Sequence, residues 1–221
     1  RNALTSMLFH DLRSPLGNIV GSLEMVGTLM PNDETLNSML NIARNSTGRI
    51  QRLVNSLLDI NRLEDGQHIT DQNSIDPVAL IRESIRDVET SIGARQHTLS
   101  NRAITVLPMI WVDVDMIYRV LINLLENASK FTPVGGRIDI GAQTSHDGLF
   151  VRFWVRDNGP GIPLAERDRI FEKFTRLRNK NKTGGLGVGL AFCRLAVHAH
   201  GGEIWIDSEV GVGTTFWLTL P

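Results

Sequence analysis

The chain has 221 residues, 42% hydrophobic and 21% charged, with a formal net charge of −1 and one cysteine. That balance gives no basic field for nucleic acid and no acidic excess for disorder. Cys193 cannot close an internal disulfide, which fits a reducing compartment, and no apolar run approaches the ~18 residues that span a bilayer.

Arg1 opens directly in a helical pattern, so the chain is expected to be a piece of a longer protein. Phe9, Leu12, Leu16, Ile19, Leu23, Val26 and Met30 recur at alternating steps of three and four. Leu36, Met39, Ala43, Ser46, Ile50, Leu53, Leu57 and Ile60 repeat that pattern after a break at Pro31-Asn32-Asp33, with Asp33 placed to cap the second helix. Two such helices supply half a core. A second copy would complete it as a four-helix bundle; the alternative is packing on the rest of the same chain.

The pattern divides the chain into a helical segment at 1–66, a polar linker at 67–75 and a mixed segment at 76–221. Asp76-Pro77 starts a helix reaching about residue 95, with proline at its tolerated first position. Strands are predicted at 103–112, 136–144, 149–157, 202–208 and 213–220, and helices at 113–130 and 188–200. The result is an α+β two-layer sandwich, with helices on one face of a mixed sheet.

Three stretches of the second segment carry chemistry. In "NLLENASKF" (123–131), Asn123 and Asn127 share a helical face near Lys130. An amide oxygen suits Mg²⁺ and an ammonium suits a phosphate, although a plain polar helix end has the same composition. In "RDNGPGIP" (156–163), Asp157 closes an apolar strand before a glycine-proline-glycine turn. Its carboxylate can accept from an exocyclic amine, or simply satisfy its own turn. In "TGGLGVGLAFCRLAVHAHGG" (183–202), four glycines precede an apolar helix. They direct backbone N–H groups at an anion. A dinucleotide fingerprint should follow a strand, whereas the preceding residues are basic and loop-like, and no Gly-Lys-Ser/Thr phosphate loop occurs. Arg176, Arg178, Lys180 and Lys182 would form either a solvated loop or a mobile lid over that site.

In this order, and over essentially the whole chain, these pieces resemble the catalytic core of sensor histidine kinases of two-component systems. "FHDLRSPLGNI" (9–19) is similar to the family's H-box, "LINLLENASKFTP" to its N-box, "VRDNGPGIP" to its G1-box, "IFEKFTR" to its F-box and "GGLGVGL" to its G2-box. "GVGTTF" (211–216) matches its closing glycine turn and last strand. The resemblance implies a dimerisation and histidine-phosphotransfer bundle joined to a Bergerat-fold ATP-binding domain. It implies His10 as phospho-acceptor, Asp11 as the acidic base, Asn127 as the Mg²⁺ ligand and Asn123 as a neighbouring nucleotide-site amide. Lys130 and Arg176 would approach phosphate, and Asp157 would read adenine beside Gly159 and Gly161. Gly185, Gly187 and Gly189 would form the phosphate loop. Phe131, Ile162, Leu186, Val188, Leu190 and Thr215 would complete the nucleotide pocket. ATP and Mg²⁺ are the implied cofactors. The implied partners are a second copy and a response-regulator receiver domain, with the sensor domain lying upstream. The expected location is the cytoplasm, with no membrane contact by this segment, whether a full-length parent is membrane-anchored or soluble.

On the heptad frame His10 shares its face with Gly17 and Glu24, and so points to solvent, where another domain can reach it. Asp11 can hold one ring proton and leave the other nitrogen nucleophilic. Pro15 cannot donate to the Asp11 carbonyl, so a bend beside His10 is expected. Ser14 stands where many relatives with phosphatase activity carry threonine. Its hydroxyl can orient water from a less restricted rotamer. Two alternatives are a hydrolysing ATPase of the gyrase and Hsp90 type, and a nucleotide-binding scaffold that transfers nothing. The first lacks its base, because Asn123 replaces the glutamate one turn before Asn127. The second is opposed by the intact His10, Asn127, Asp157 and glycine loop.

Overall fold

The computed structural model describes residues 17–23, 25, 26, 28, 34–67, 69, 71–104, 106–175 and 187–221. His10, Asp11, Ser14, Arg176, Gly185 and Leu186 lie outside the described residues, as does the basic loop. Contacts divide the chain into two compact units, residues 1–65 and 66–221. Among the described residues no helix is long and apolar enough to cross a membrane.

The first unit is helical. Helix α1 is described at 17–23, 25, 26 and 28, and helix α2 runs Glu34–Glu64. Leu40, Thr47, Val54 and Leu58 are buried on α2, whereas Met39, Ile42 and Ile50 are exposed. At Leu40, Thr47, Val54 and Leu58 the buried row lies one residue on from the predicted stripe, about 100° round the helix, whereas Ile60 of that stripe is itself fully buried. Both faces carry apolar residues, and a single stripe could not register two seams.

The second unit is the expected sandwich. Strands β1 (Asn73–Ile75) and β3 (Ile110–Val112) form a separate antiparallel ribbon. Helix α3 (Pro77–Gly93) starts as predicted: the Asp76 carboxylate accepts from the Val78 amide at 2.9 Å, and Pro77 sits in the first turn. The main sheet contains β2 (Thr98–Asn101), β4 (Arg137–Thr144), β5 (Val151–Asp157), β6 (Ile204–Glu209) and β7 (Gly213–Leu220). Its strand order is β2-β4-β5-β7-β6; β2 and β4 are parallel and the other pairs antiparallel.

Two sequence expectations change here. The predicted strand at 103–112 is no single strand, since only its end pairs, as β3, and in a different sheet. Pro108 has no amide to donate in that stretch. The preceding residues instead run beside β4, where the Arg102 and Ile104 amides donate to Ile140 and Ala142. The stretch read as linker also holds β1, whose Asn-Ser-Ile has no alternation to show it.

Helices α4 (Val114–Phe131) and α5 (Gly189–Ala199) cover the same sheet face as α3. Leu80, Ile81 and Ile92 of α3, Leu121, Leu124 and Leu125 of α4, and Phe192 and Val197 of α5 bury against Ile138, Ile140, Phe153, Val155, Phe216 and Leu218. Strand alternation puts the other residues on the opposite face. There Trp154, Trp217 and Trp205 gather, with ring centroids 5.7 and 6.2 Å apart along the row. Gly141 makes room for the first of them: a Cβ there would stand 2.2 Å from the Trp154 ring.

Candidate functional site

Helix α4 brings the asparagines to the site. The Asp113 side chain caps it, accepting from the Met116 amide at 2.9 Å. At steps of four, Asp115, Arg119, Asn123 and Asn127 form one polar row beside the apolar core face. Asp115 pairs with Arg119 at 3.2 Å, and the buried guanidinium lies 4.8 Å from the Phe192 ring centroid on α5. Asn123 is wedged against α5. Its Oδ1 would be 3.3 Å from a Cβ on Gly189; the nearby Cys193 thiol donates to the Val120 carbonyl, and burial pushes it well above the ordinary range. The helical glycine Gly189 therefore also makes space for a side chain.

The C-terminal turn of α4 is held from outside. The Arg95 guanidinium donates to the carbonyls of Ser129 at 3.1 Å and Lys130 at 3.4 Å, where a cation also complements the helix dipole. Lys130 Nζ lies 4.9 Å from the Phe131 ring centroid. Phe131 in turn meets the next motif: its carbonyl oxygen would be 3.2 Å from a Cβ on Gly159.

Asp157 ends β5 and is 7% exposed. Its Oδ1 accepts the Gly159 amide at 2.8 Å, and burial raises its carboxyl above the usual carboxylate range. A buried acceptor of this kind suits a ligand donor. Gly161 has φ +72°, and a Cβ would lie 2.0 Å from the Glu209 carbonyl, so its turn rests directly on the β6–β7 hairpin. The Gly211 amide donates to the Pro160 carbonyl at 2.8 Å, and the Ile162 amide to Ser208 Oγ at 2.8 Å.

Thr214, and not Thr215, is the hydroxyl beside Asp157. Thr214 pairs with Asp157 and is 5% exposed, whereas Thr215 pairs with Arg156 and Asp207 on the opposite sheet face. Phe216, Leu218 and Leu220 alternate inward, so period two counted back from Phe216 identifies Thr214. Ser208, Arg167 and Arg95 also escape sequence reading, because each acts by contacts across the fold.

Gly187 has φ +71°, accepts the Phe174 amide at 2.8 Å, and would place a Cβ 2.8 Å from the Thr175 carbonyl. The end of the F-box segment is thereby tied to the glycine loop. Val188 is buried and Leu190 half-buried, and Val188 at the N-cap of α5 makes no side-chain capping hydrogen bond among the described residues. The described residues thus bring together Asn123 with Gly189, Gly159 with Phe131 and Asp157, and Asp157 with Thr214, while Gly161 and Ile162 meet Glu209 and Ser208 of β6.

The sequence family "Histidine kinase-, DNA gyrase B-, and HSP90-like ATPase" matches residues 112–221, and "His Kinase A (phospho-acceptor) domain" matches residues 1–66. The chain is 32% identical to the adaptive-response sensory kinase SasA of Thermosynechococcus vestitus, covering 100% of this chain and 60% of that protein. It is 34% identical to drug sensory protein A of Synechocystis sp., covering 100% of this chain and 35% of the relative. Among solved structures, full-length ShkA in complex with AMPPNP superposes with a TM-score of 0.74 at 28% identity, over 100% of this chain and 46% of that one. The catalytic domain of histidine kinase ThkA gives 0.61 at 28% identity, over 69% of this chain and 96% of that one. The chain spans about 60% of the length of SasA and 35% of that of drug sensory protein A. With its phospho-acceptor and ATP-binding segments in that order, the chain belongs to the sensor histidine kinases of two-component systems.

Proposed function

We propose that this chain is an ATP-dependent autokinase that phosphorylates His10 and passes the phosphoryl group to an aspartate of a response regulator. The observation that carries the reading is the buried acceptor Asp157, set among Gly159, Gly161 and Thr214 beside the C-terminal turn of α4. Adenine offers the donor that this carboxylate lacks. A hydrolase would need a base one turn before Asn127, and the Asn123 amide cannot take a proton from water.

Asp157 fixes the purine, while Asn127 offers one hard oxygen, the donor expected for a Mg²⁺ ion that arrives on nucleotide phosphates rather than in a protein cage. Bound Mg²⁺ would neutralise phosphate charge. Lys130, Arg176 and the amides at Gly185, Gly187 and the start of α5 add positive charge around the phosphates. Asp11 accepts the proton of one His10 ring nitrogen and leaves the other to attack the γ-phosphorus. The N–P bond forms as the bond to the ADP oxygen breaks, and ADP leaves. Ser14, four residues after His10, would orient water if the chain also removes phosphate from its partner.

The proposed organisation is a histidine-phosphotransfer domain at 1–66, a linker at 67–75 and a catalytic domain at 76–221. The exposed Met39, Ile42 and Ile50 of α2 support a homodimer through the helical segment. The reaction belongs to the cytoplasm, where ATP is available.

The test incubates the chain with γ-labelled Mg-ATP beside a His10→Gln variant and checks the label in acid and base. Acid-labile, base-stable label on the wild type alone is expected. Nucleotide binding without label would replace the kinase with a scaffold, and steady phosphate release without label would replace it with a hydrolase.

A further inference from the structure

Asp157, Thr214 and Ser208 stand side by side across β5, β7 and β6, on the sheet face that carries the helices. The Ser208 hydroxyl has three polar neighbours: the Ile162 amide at 2.8 Å, the Gly213 carbonyl oxygen at 3.0 Å and Thr214 Oγ1 at 2.8 Å. A serine hydroxyl brings one proton and two lone pairs. The amide can only donate and the carbonyl can only accept. Ser208 therefore gives its proton to Gly213 and receives from Ile162, and its remaining lone pair is filled when Thr214 donates. All three contacts are satisfied together only with the Thr214 proton turned toward Ser208.

Thr214 then offers the rest of the pocket nothing but lone pairs, next to a carboxylate that is also an acceptor. The arrangement is braced from behind, because the Arg167 guanidinium donates to the carbonyls of Ser208 and, at 3.4 Å, Ile162. Ser208 thus links the turn that shapes the pocket to the hydroxyl beside Asp157.

We infer that Ser208 is a positioning residue for base specificity. By holding the Thr214 proton it makes Asp157 and Thr214 an acceptor-only surface, which takes a 6-amino purine and turns away a 6-oxo purine. The inference rests on the reading of Asp157 as the purine-recognising carboxylate. A 6-oxo purine presents a carbonyl oxygen that needs a donor. A Thr214 hydroxyl released from Ser208 could rotate and supply one, and a site left with mismatched polar groups discriminates poorly.

The test is competition of Mg-ATP and Mg-ITP against a fluorescent nucleotide on the whole chain, in the wild type, Ser208→Ala and Thr214→Val. The wild type prefers ATP. In Ser208→Ala, ITP gains and the preference narrows about five- to tenfold, the size of one hydrogen bond. In Thr214→Val, which keeps side-chain shape, the preference narrows by a similar factor because ATP weakens and ITP does not. If Ser208→Ala does not fold, Thr214→Val carries the test. A lower Tm with an unchanged ATP-to-ITP ratio would make Ser208 a structural support only and overturn the inference. A wild type that binds both nucleotides alike would remove the reading of Asp157 itself, and this inference with it.

Discussion

The two units bury apolar residues in different ways. In the sheet unit, large side chains such as Leu121, Leu124, Leu125, Phe153 and Phe192 are fully buried within one chain. In the helical unit, α2 buries Leu40, Val54 and Leu58 but leaves Met39, Ile42 and Ile50 at 64%, 64% and 48% exposure. A sheet covered by three helices closes its own core, whereas a helix with two apolar faces keeps one for another surface. The contrast separates a unit that closes its own core from a helix that presents a second apolar face.

The sharpest test of that scaffold is Asp157→Asn. It should weaken ATP binding about 10- to 100-fold, since a charged acceptor is lost, while leaving the Tm unchanged or slightly higher. Burial raises the folded-state pKa of Asp157, so its ionised form costs stability at neutral pH and that cost fades as pH falls. A Tm several degrees lower would show that the carboxylate holds the turn instead of reading a ligand.

Leu124→Ala and Ile42→Ala test the contrast directly. The first removes a fully buried side chain and should cost about 2–5 kcal/mol in thermal or urea unfolding, with self-association unchanged. The second should leave the melting of the sheet unit within about 0.5 kcal/mol and weaken self-association in sedimentation equilibrium. Equal effects on both readouts would abolish the distinction.

His200 gives a smaller, pH-dependent signal. Its Nδ1 bonds the Ala196 carbonyl at 2.7 Å and its Nε2 accepts the Asp113 amide at 3.0 Å, so the neutral ring ties the end of α5 to the start of α4. Burial lowers its pKa. The unfolded chain therefore takes up a proton first as pH falls below about 6.5, and stability declines from there toward the lower folded-state pKa. Thermal melts from pH 7.5 to 5 should show this slope, and His200→Gln should flatten it. Least of all, Asp76→Ala should cost about 1 kcal/mol by removing the cap of α3, measured by the same melts.

The sequence pattern was most readable where side-chain period and chain direction agree. Helices α3, α4 and α5 and strands β4, β5, β6 and β7 fall within a few residues of their predicted spans. Strand β2 carries no such signal, because Thr-Leu-Ser-Asn holds one apolar residue and sits at the sheet edge, where its parallel partner β4 is remote in sequence. The candidate site was readable as motifs but not as contacts. Asn123 and Asp157 stand out from local composition, whereas Phe131 enters only through the resemblance. That Gly189 faces Asn123, that Arg95 holds the end of α4, and that Ser208 joins Ile162 to Thr214 depend on tertiary closure. Thr215 for Thr214 is a one-residue slip, and on a strand one residue is a change of face.

The tryptophan row on the far side of the sheet has a practical consequence for spectroscopy. Trp154, Trp205 and Trp217 lie together on the face opposite Asp157, with Arg152 over two of the rings. Intrinsic emission from these three indoles should follow the integrity of the sheet and stay nearly silent when nucleotide binds. Their coupled transitions should also distort the far-ultraviolet dichroism, so that helix content read from that spectrum alone would come out wrong for this protein.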